Sequence, residues 1–220
     1  MKETLRWKLA QYFEKRWWKN YLRNKSIEDY RVWKIDYWKN LLNAGSIVME
    51  DGCKVLDAGC GPAGVFMVLE NQQVTAIDPL LNDYENQLLH FKKSDYKNVE
   101  FIHSPIENFK RVNYFDFIFC MNAINHVQDY ETALNNLTES LKPLGVFIMT
   151  IDAHNHSFFK HLFRAIPGDI LHPYQYDLNE YKSHLMKRGV VIEKEVLLKQ
   201  EFFFNHYMII GKKNKIYPAI

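Results

Sequence analysis

The sequence predicts an α/β fold: a doubly wound, mostly parallel sheet covered by helices on both faces, with a helical cap at the N-terminal end. Three observations predict it. From Cys53 onward, apolar runs of strand length alternate with helix-length segments. Those runs are near-continuously apolar, as strands buried on both faces are. Charge and aromatic residues gather at the front: the first forty residues hold eleven Lys and Arg against five Asp and Glu, and all five Trp of the chain.

In the cap, Leu5, Leu9, Phe13, Trp17 and Tyr21 step by four through a first helix. Ser26-Ile27-Glu28-Asp29 reads as an N-cap followed by acidic residues, so a second helix starts there, runs to Leu42 and stops at Asn43-Ala44-Gly45. The apolar row of the first helix drifts around its axis, and Trp18 and Leu22 fall on another side. A membrane-surface helix would carry one apolar face. The two helices are therefore read as covering a core while their basic ends stay in water, with peripheral membrane contact through residues 1–40 as the alternative. A pI near 8.3 is too mild for a dedicated nucleic-acid binder.

Strands are expected at 54–58, 74–77, 99–103, 115–121, 146–151, 190–197 and 202–210, and helices at 65–70, 84–93, 130–141 and 178–187. The short polar link 198–201 favours an antiparallel hairpin at one sheet edge. This divides the chain into a cap (1–45), a main domain (46–212) containing a long aromatic loop (152–176), and a tail (213–220). The loop is long for a connection and reads as a lid over a hydrophobic acceptor.

Composition narrows the classes. With 47% hydrophobic and 25% charged residues and a mean hydropathy of -0.34, the chain is ordinary globular material. No uncharged apolar run approaches the roughly 18 residues a membrane span needs, and the N-terminus lacks the features of a secretory signal. Three scattered cysteines, Cys53, Cys60 and Cys120, suggest no disulfide framework and a reducing cytoplasm.

The informative stretch is Val55-Leu56-Asp57-Ala58-Gly59-Cys60-Gly61-Pro62-Ala63-Gly64. Its G-x-G-x-x-G spacing between a strand and a helix suggests an adenosine-cofactor loop, and Asp78, ending the next strand, can accept from ribose hydroxyls. Asp57 separates the candidates. A carboxylate at the loop's mouth repels a pyrophosphate and attracts a ligand whose ammonium and sulfonium are cationic.

This stretch, with AIDP at 76–79, FDFIFCMNAINHV at 115–127 and LKPLGVFIMT at 141–150, resembles class I S-adenosylmethionine (SAM)-dependent methyltransferases of the small-molecule type (type 11) over about residues 50–210. The resemblance implies a seven-stranded Rossmann-like sheet with the last pair antiparallel, and SAM as cofactor. It places Asp57, Ala58, Gly59, Cys60 and Gly61 at the methionine end, Asp78 on the ribose, and Pro79 beside adenine. Pro105 and Ile106 would cover the ring, with Pro105 standing where the family often has an acid. Backbone carbonyls at Cys120 and Met121, ending the fourth strand, would meet the ammonium, and Asn122 follows at the crevice.

Methyl transfer from a sulfonium is an in-line displacement that needs positioning, and a base when the acceptor is a hydroxyl or an acidic carbon. Candidates are His126, His172 and Tyr174. His154, His156, His161 and His172 lack a ligand spacing, so no metal is expected. After the fourth strand stands Cys-Met-Asn-Ala rather than an NPPY-like run, which lowers nucleobase amines and leaves a small or lipid-like acceptor, methylated at oxygen or carbon. The rivals are an NAD-dependent oxidoreductase and a non-catalytic binding module of the same fold.

Overall fold

The computed structural model describes residues 4–154, 174, 176–202 and 204–215. Two helices lead. The first, α1 (Leu5–Leu22), starts at Thr4, whose hydroxyl accepts from the Trp7 N–H; α2 (Ile27–Gly45) starts at Ser26, whose hydroxyl accepts from Asp29 N–H at 3.3 Å. At the far end of α2, Lys194 Nζ donates to Ala44 O and Ser46 Oγ, both at 3.1 Å, placing a cation at the negative helix terminus.

Seven strands follow: β1 (Lys54–Ala58), β2 (Gln73–Asp78), β3 (Val99–His103), β4 (Phe115–Met121), β5 (Leu141–His154), β6 (Val190–Gln200) and β7 (Phe204–Lys213). Their order is β3-β2-β1-β4-β5-β7-β6, parallel except that β7 runs antiparallel to both neighbours. The expected hairpin is present, with β6 at the edge and β7 inside. Among the described residues, three more helices are α3 (Leu81–Gln87), α4 (Tyr130–Ser140) and α5 (Leu178–Met186).

Some boundaries differ from expectation. The helix expected at 65–70 is a single 3-10 turn, Val65–Val68, because its first N–H groups are tied to the Asp57 carboxylate and β2 must begin at Gln73. The helix expected at 84–93 lies at Leu81–Gln87. It starts early because Asp78 Oδ1 captures Leu80 N–H at 2.7 Å, and it stops where Leu88 turns Phe91 into an aromatic cluster with Phe66 and Phe101. β5 begins five residues early, directly after α4, and its register against β4 shifts between Phe115 and Phe117. β7 runs one residue into the expected tail.

The sheet divides two cores. On one face, α4 and α5 bury Leu134, Leu137, Tyr181 and Leu185 against Leu56, Ile118 and Phe147. On the other, α2 brings Tyr30, Trp38 and Leu41 against Val55, Phe119, Ile148 and Ile210. The residues after β1 form only one short turn, too little to cover the sheet, so the N-terminal helices supply that layer. They are an integral wall of the fold, and their placement closes the carboxyl end of β1. Of the lid expected at 152–176, residues 155–173 and 175 lie outside the described residues.

Candidate active site

The glycine loop is shaped by backbone needs. Gly59 has φ +71°, and a Cβ built on it would stand 2.3 Å from Ala123 Cβ, so only glycine fits between the loop and the end of β4. Gly59 and Cys60 N–H both donate to Ile77 O, at 2.8 and 3.1 Å, holding the loop to the end of β2. Gly64 is needed for another reason: a Cβ there would lie 2.3 Å from Asp57 Oδ2.

The two carboxylates take different places. Asp78 lines the cavity and accepts from Gly61 N–H at 3.0 Å and Leu80 N–H at 2.7 Å. Asp57, expected at the mouth of the loop, instead sits behind it: buried, accepting from Phe66 N–H at 3.1 Å, and not part of the cavity wall. Its burial pushes its carboxyl up to about 7, against the backbone hydrogen bonds and the nearby Lys34 charge that favour ionisation. Asp57 shapes the loop; its charge acts through it.

Above the loop lies a cavity of about 790 Å³. Gly59, Cys60, Gly61, Asp78 and Pro79 line one side, and Pro105, Ile106, Asn122 and His126 line the next. Ala58 and Cys120, expected at the cofactor, are strand residues with no exposure and do not reach the cavity. Tyr174, expected as an acceptor group, packs away from it: its hydroxyl donates to Gln128 O at 2.9 Å and accepts from Tyr130 N–H at 3.3 Å. His172 lies outside the described residues. Among the described residues no group of three or more His, Cys, Asp or Glu is disposed to hold a metal.

Sequence reading missed five groups here, all of ordinary residue types. The helix α1 carries Glu14 and Trp18 onto the cavity. Tyr84 donates to Glu14 Oε1 at 3.1 Å, and the Trp18 ring lies within 3.7 Å of where a Gly61 Cβ would stand. Burial, and then the repulsion between their charges, raises Asp78; burial raises Glu14 as well. On α2, Lys34 faces the cavity with its Nζ 4.4 Å from the Tyr37 ring centre and 4.7 Å from that of Trp38. Burial lowers its ammonium to about 8, opposed by the Asp57 charge. Glu107 also lines the cavity. Its Oε1 accepts from Gln128 and Asp129 N–H at 2.6 and 3.1 Å, while its buried Oε2 has no partner among the described residues. His206 is the fifth, on β7.

These features suit SAM. At Gly61, which lines the cavity, a Cβ would meet only the Trp18 ring, so the backbone there stays open to a ligand. Asp78 offers acceptors to vicinal hydroxyls. The orphaned Glu107 oxygen awaits a donor such as the adenine amine, two positions beyond Pro105, where the acid was looked for. Lys34 offers a cation to a carboxylate.

The model of the methyltransferase domain family matches residues 49–200, so the chain belongs to that family. Within it the chain is a class I methyltransferase whose methyl donor is SAM. A ubiquinone biosynthesis O-methyltransferase of Rickettsia typhi (strain ATCC VR-144 / Wilmington) is 24% identical over 192 residues, 76% of each chain. By fold, a putative methyltransferase (BH2331) from Bacillus halodurans C-125 matches with a TM-score of 0.66 at 13% identity, over 80% of this chain and 99% of that one. The Burkholderia thailandensis 1,6-didemethyltoxoflavin-N1-methyltransferase, solved with bound 1,6-didemethyltoxoflavin and S-adenosylhomocysteine, matches with a TM-score of 0.57 at 15% identity, over 93% of this chain and 89% of that one. Family membership displaces the dinucleotide reading that glycine spacing alone left open.

Proposed function

We propose that the protein transfers the methyl group of SAM to a small or lipid-like acceptor, at oxygen or carbon. The observation that carries this reading is one continuous cavity. Its loop end meets the requirements of an adenosine, and its other end is walled by Trp7, Phe13, Trp17 and Tyr37. A volume of about 790 Å³ is within the ordinary range of ligand sites and leaves room for an apolar acceptor beside the donor. The relative of R. typhi, an O-methyltransferase of ubiquinone biosynthesis by name, supports oxygen as the acceptor atom.

In this reading SAM supplies an electrophilic methyl on a sulfonium. Asp78 holds the ribose hydroxyls, Glu107 accepts from the adenine amine, and Lys34 pairs with the carboxylate of the methionine end. Trp18 and Glu14, coming down from α1, exclude water. The aromatic wall holds the acceptor in line, a positioning effect worth on the order of 7–11 kcal/mol in well-oriented systems.

Two finer points belong to the same reading. Trp17 and Trp33 are each about half exposed on basic helices, which supports transient contact with an anionic membrane while a lipid-like acceptor is drawn in. No helix among the described residues is long and apolar enough to cross a membrane. The three cysteines are free thiols, which supports a reducing, cytoplasmic setting.

The test is thermal and radiochemical. SAM and S-adenosylhomocysteine should raise the melting temperature while NADH does not, and label from [methyl-³H]SAM should pass to a cell extract. Binding without any transfer would favour the non-catalytic module.

A further inference from the structure

Resting on the proposed methyl transfer, a second pair of residues gains a role. We propose that His206, oriented by Asp152, takes the proton from the acceptor, so that the acceptor presents a hydroxyl rather than a carboxylate.

The pair follows from register. Asp152 and His206 stand directly opposite on the antiparallel strands β5 and β7, so their side chains share one face of the sheet. His206 Nδ1 meets Asp152 Oδ1 at 2.8 Å. That contact makes Nδ1 the protonated nitrogen and leaves Nε2 with its lone pair, and His206 lines the cavity. The carboxylate fixes the ring and stabilises the imidazolium that proton uptake creates, as an orienting acid does for a catalytic histidine elsewhere. His126 also lines the cavity, from the turn after β4. His206 has a carboxylate placed against it by strand pairing. Around the pair, Lys199 lies opposite His206 on β6, ion-paired with Glu201, and Tyr37 of α2 feels the Asp152 charge.

The step balances as follows. The acceptor O–H proton passes to His206 Nε2 as an oxygen electron pair forms the O–CH₃ bond. The methyl–sulfur bond breaks, its electron pair stays on sulfur, and the leaving group is a neutral thioether. The imidazolium then loses its proton to solvent. A carboxylate acceptor, already ionised, would need no such base.

The test uses the full chain, [methyl-³H]SAM and a chloroform–methanol extract of the organism that encodes it. The wild type should yield a labelled product stable to mild alkali, as an ether is and a methyl ester is not. His206→Asn, which keeps a donor for Asp152, and Asp152→Asn should each lower kcat by about 100-fold while the Kd for S-adenosylhomocysteine stays within about twofold. Added imidazole should restore part of the transfer in His206→Ala, which a purely structural role would not allow. Alkali-labile label, His206→Asn activity within about threefold of wild type, or no labelling by a wild type that binds S-adenosylhomocysteine would each overturn the assignment. Failure to bind S-adenosylhomocysteine would instead strike the cofactor reading beneath it.

Discussion

The indole N–H of Trp38 donates a 3.0 Å hydrogen bond to the carbonyl oxygen of Ala63, bolting the second helix to the glycine loop. Trp38 is 5% exposed, so the bond is shielded from water. Trp38→Phe keeps most of the apolar contact and leaves that carbonyl without its donor. The expected cost is about 1–2 kcal/mol in denaturant unfolding, with severalfold weaker binding of S-adenosylhomocysteine by calorimetry. Unchanged affinity would separate the helix from the site.

Gly59 makes a sharper prediction. Gly59→Ala must accept a left-handed backbone at about 1–2 kcal/mol and collide with Ala123. Calorimetry should register loss of S-adenosylhomocysteine binding. Adding Ala123→Gly removes the collision and leaves the backbone strain, so the double variant should recover binding only in part.

Asp78 sets function against stability. Its folded-state carboxyl is raised by burial and by Glu14 above the ordinary value of 3.8. The folded protein therefore keeps a proton the unfolded chain releases. That stabilisation is complete below about pH 4 and is lost as pH climbs through the raised value. Asp78→Asn cannot ionise, so its melting temperature relative to wild type should rise from pH 5 to pH 8, measured without ligand. The same variant should bind S-adenosylhomocysteine at least about tenfold more weakly, about 1.4 kcal/mol. A relative melting temperature flat in pH would mean that the carboxyl ionises freely in the fold.

Lys34 is expected to read the amino-acid end of the cofactor. Lys34→Met should weaken S-adenosylhomocysteine by about tenfold, a charge-assisted contact of about 1.5 kcal/mol. Binding of 5′-methylthioadenosine, which has no carboxylate, should be unaffected. Equal losses for both ligands would make Lys34 a packing residue.

Arg188 is a control that does not line the cavity. Its guanidinium donates to Asn135 Oδ1 at 2.6 Å and to His184 O at 2.9 Å, and pairs with Glu131, joining α4 to the end of α5. Arg188→Ala should cost about 2 kcal/mol, a melting shift of roughly 4–8 °C for a domain of this size, with cofactor affinity unchanged.

How much of this was readable beforehand depends on where the information sits. The strands from β1 to β4 and the glycine loop were legible because burial on both faces writes continuous apolar runs, and because Gly59 and Gly64 answer local steric demands. Asp78 reached the cavity as expected. Asp57 did not, because its fate is decided by the N–H groups of the turn at Val65–Val68, which local pattern presents as a helix. Lys34, Glu14 and His206 were invisible for a plainer reason. Each is brought to the cavity by tertiary placement, from a cap helix or an edge-proximal strand, and nothing in its neighbourhood marks it among the other lysines, glutamates and histidines. Glu107 was missed by two positions, since the hydrogen bonds it makes to Gln128 and Asp129 are long-range in sequence.

The position of β7 between β5 and β6 carries a consequence for how the molecule is made. A nascent chain that has emerged only through residue 203 leaves two strands with open flanks, one of them the apolar β5. Neither can be satisfied by the other until the final strand threads the gap. Until β7 emerges, the nascent chain is therefore a sticky, unfinished intermediate. The proposed base His206 arrives in the same moment, so a product truncated before β7 would be aggregation-prone and would lack that base.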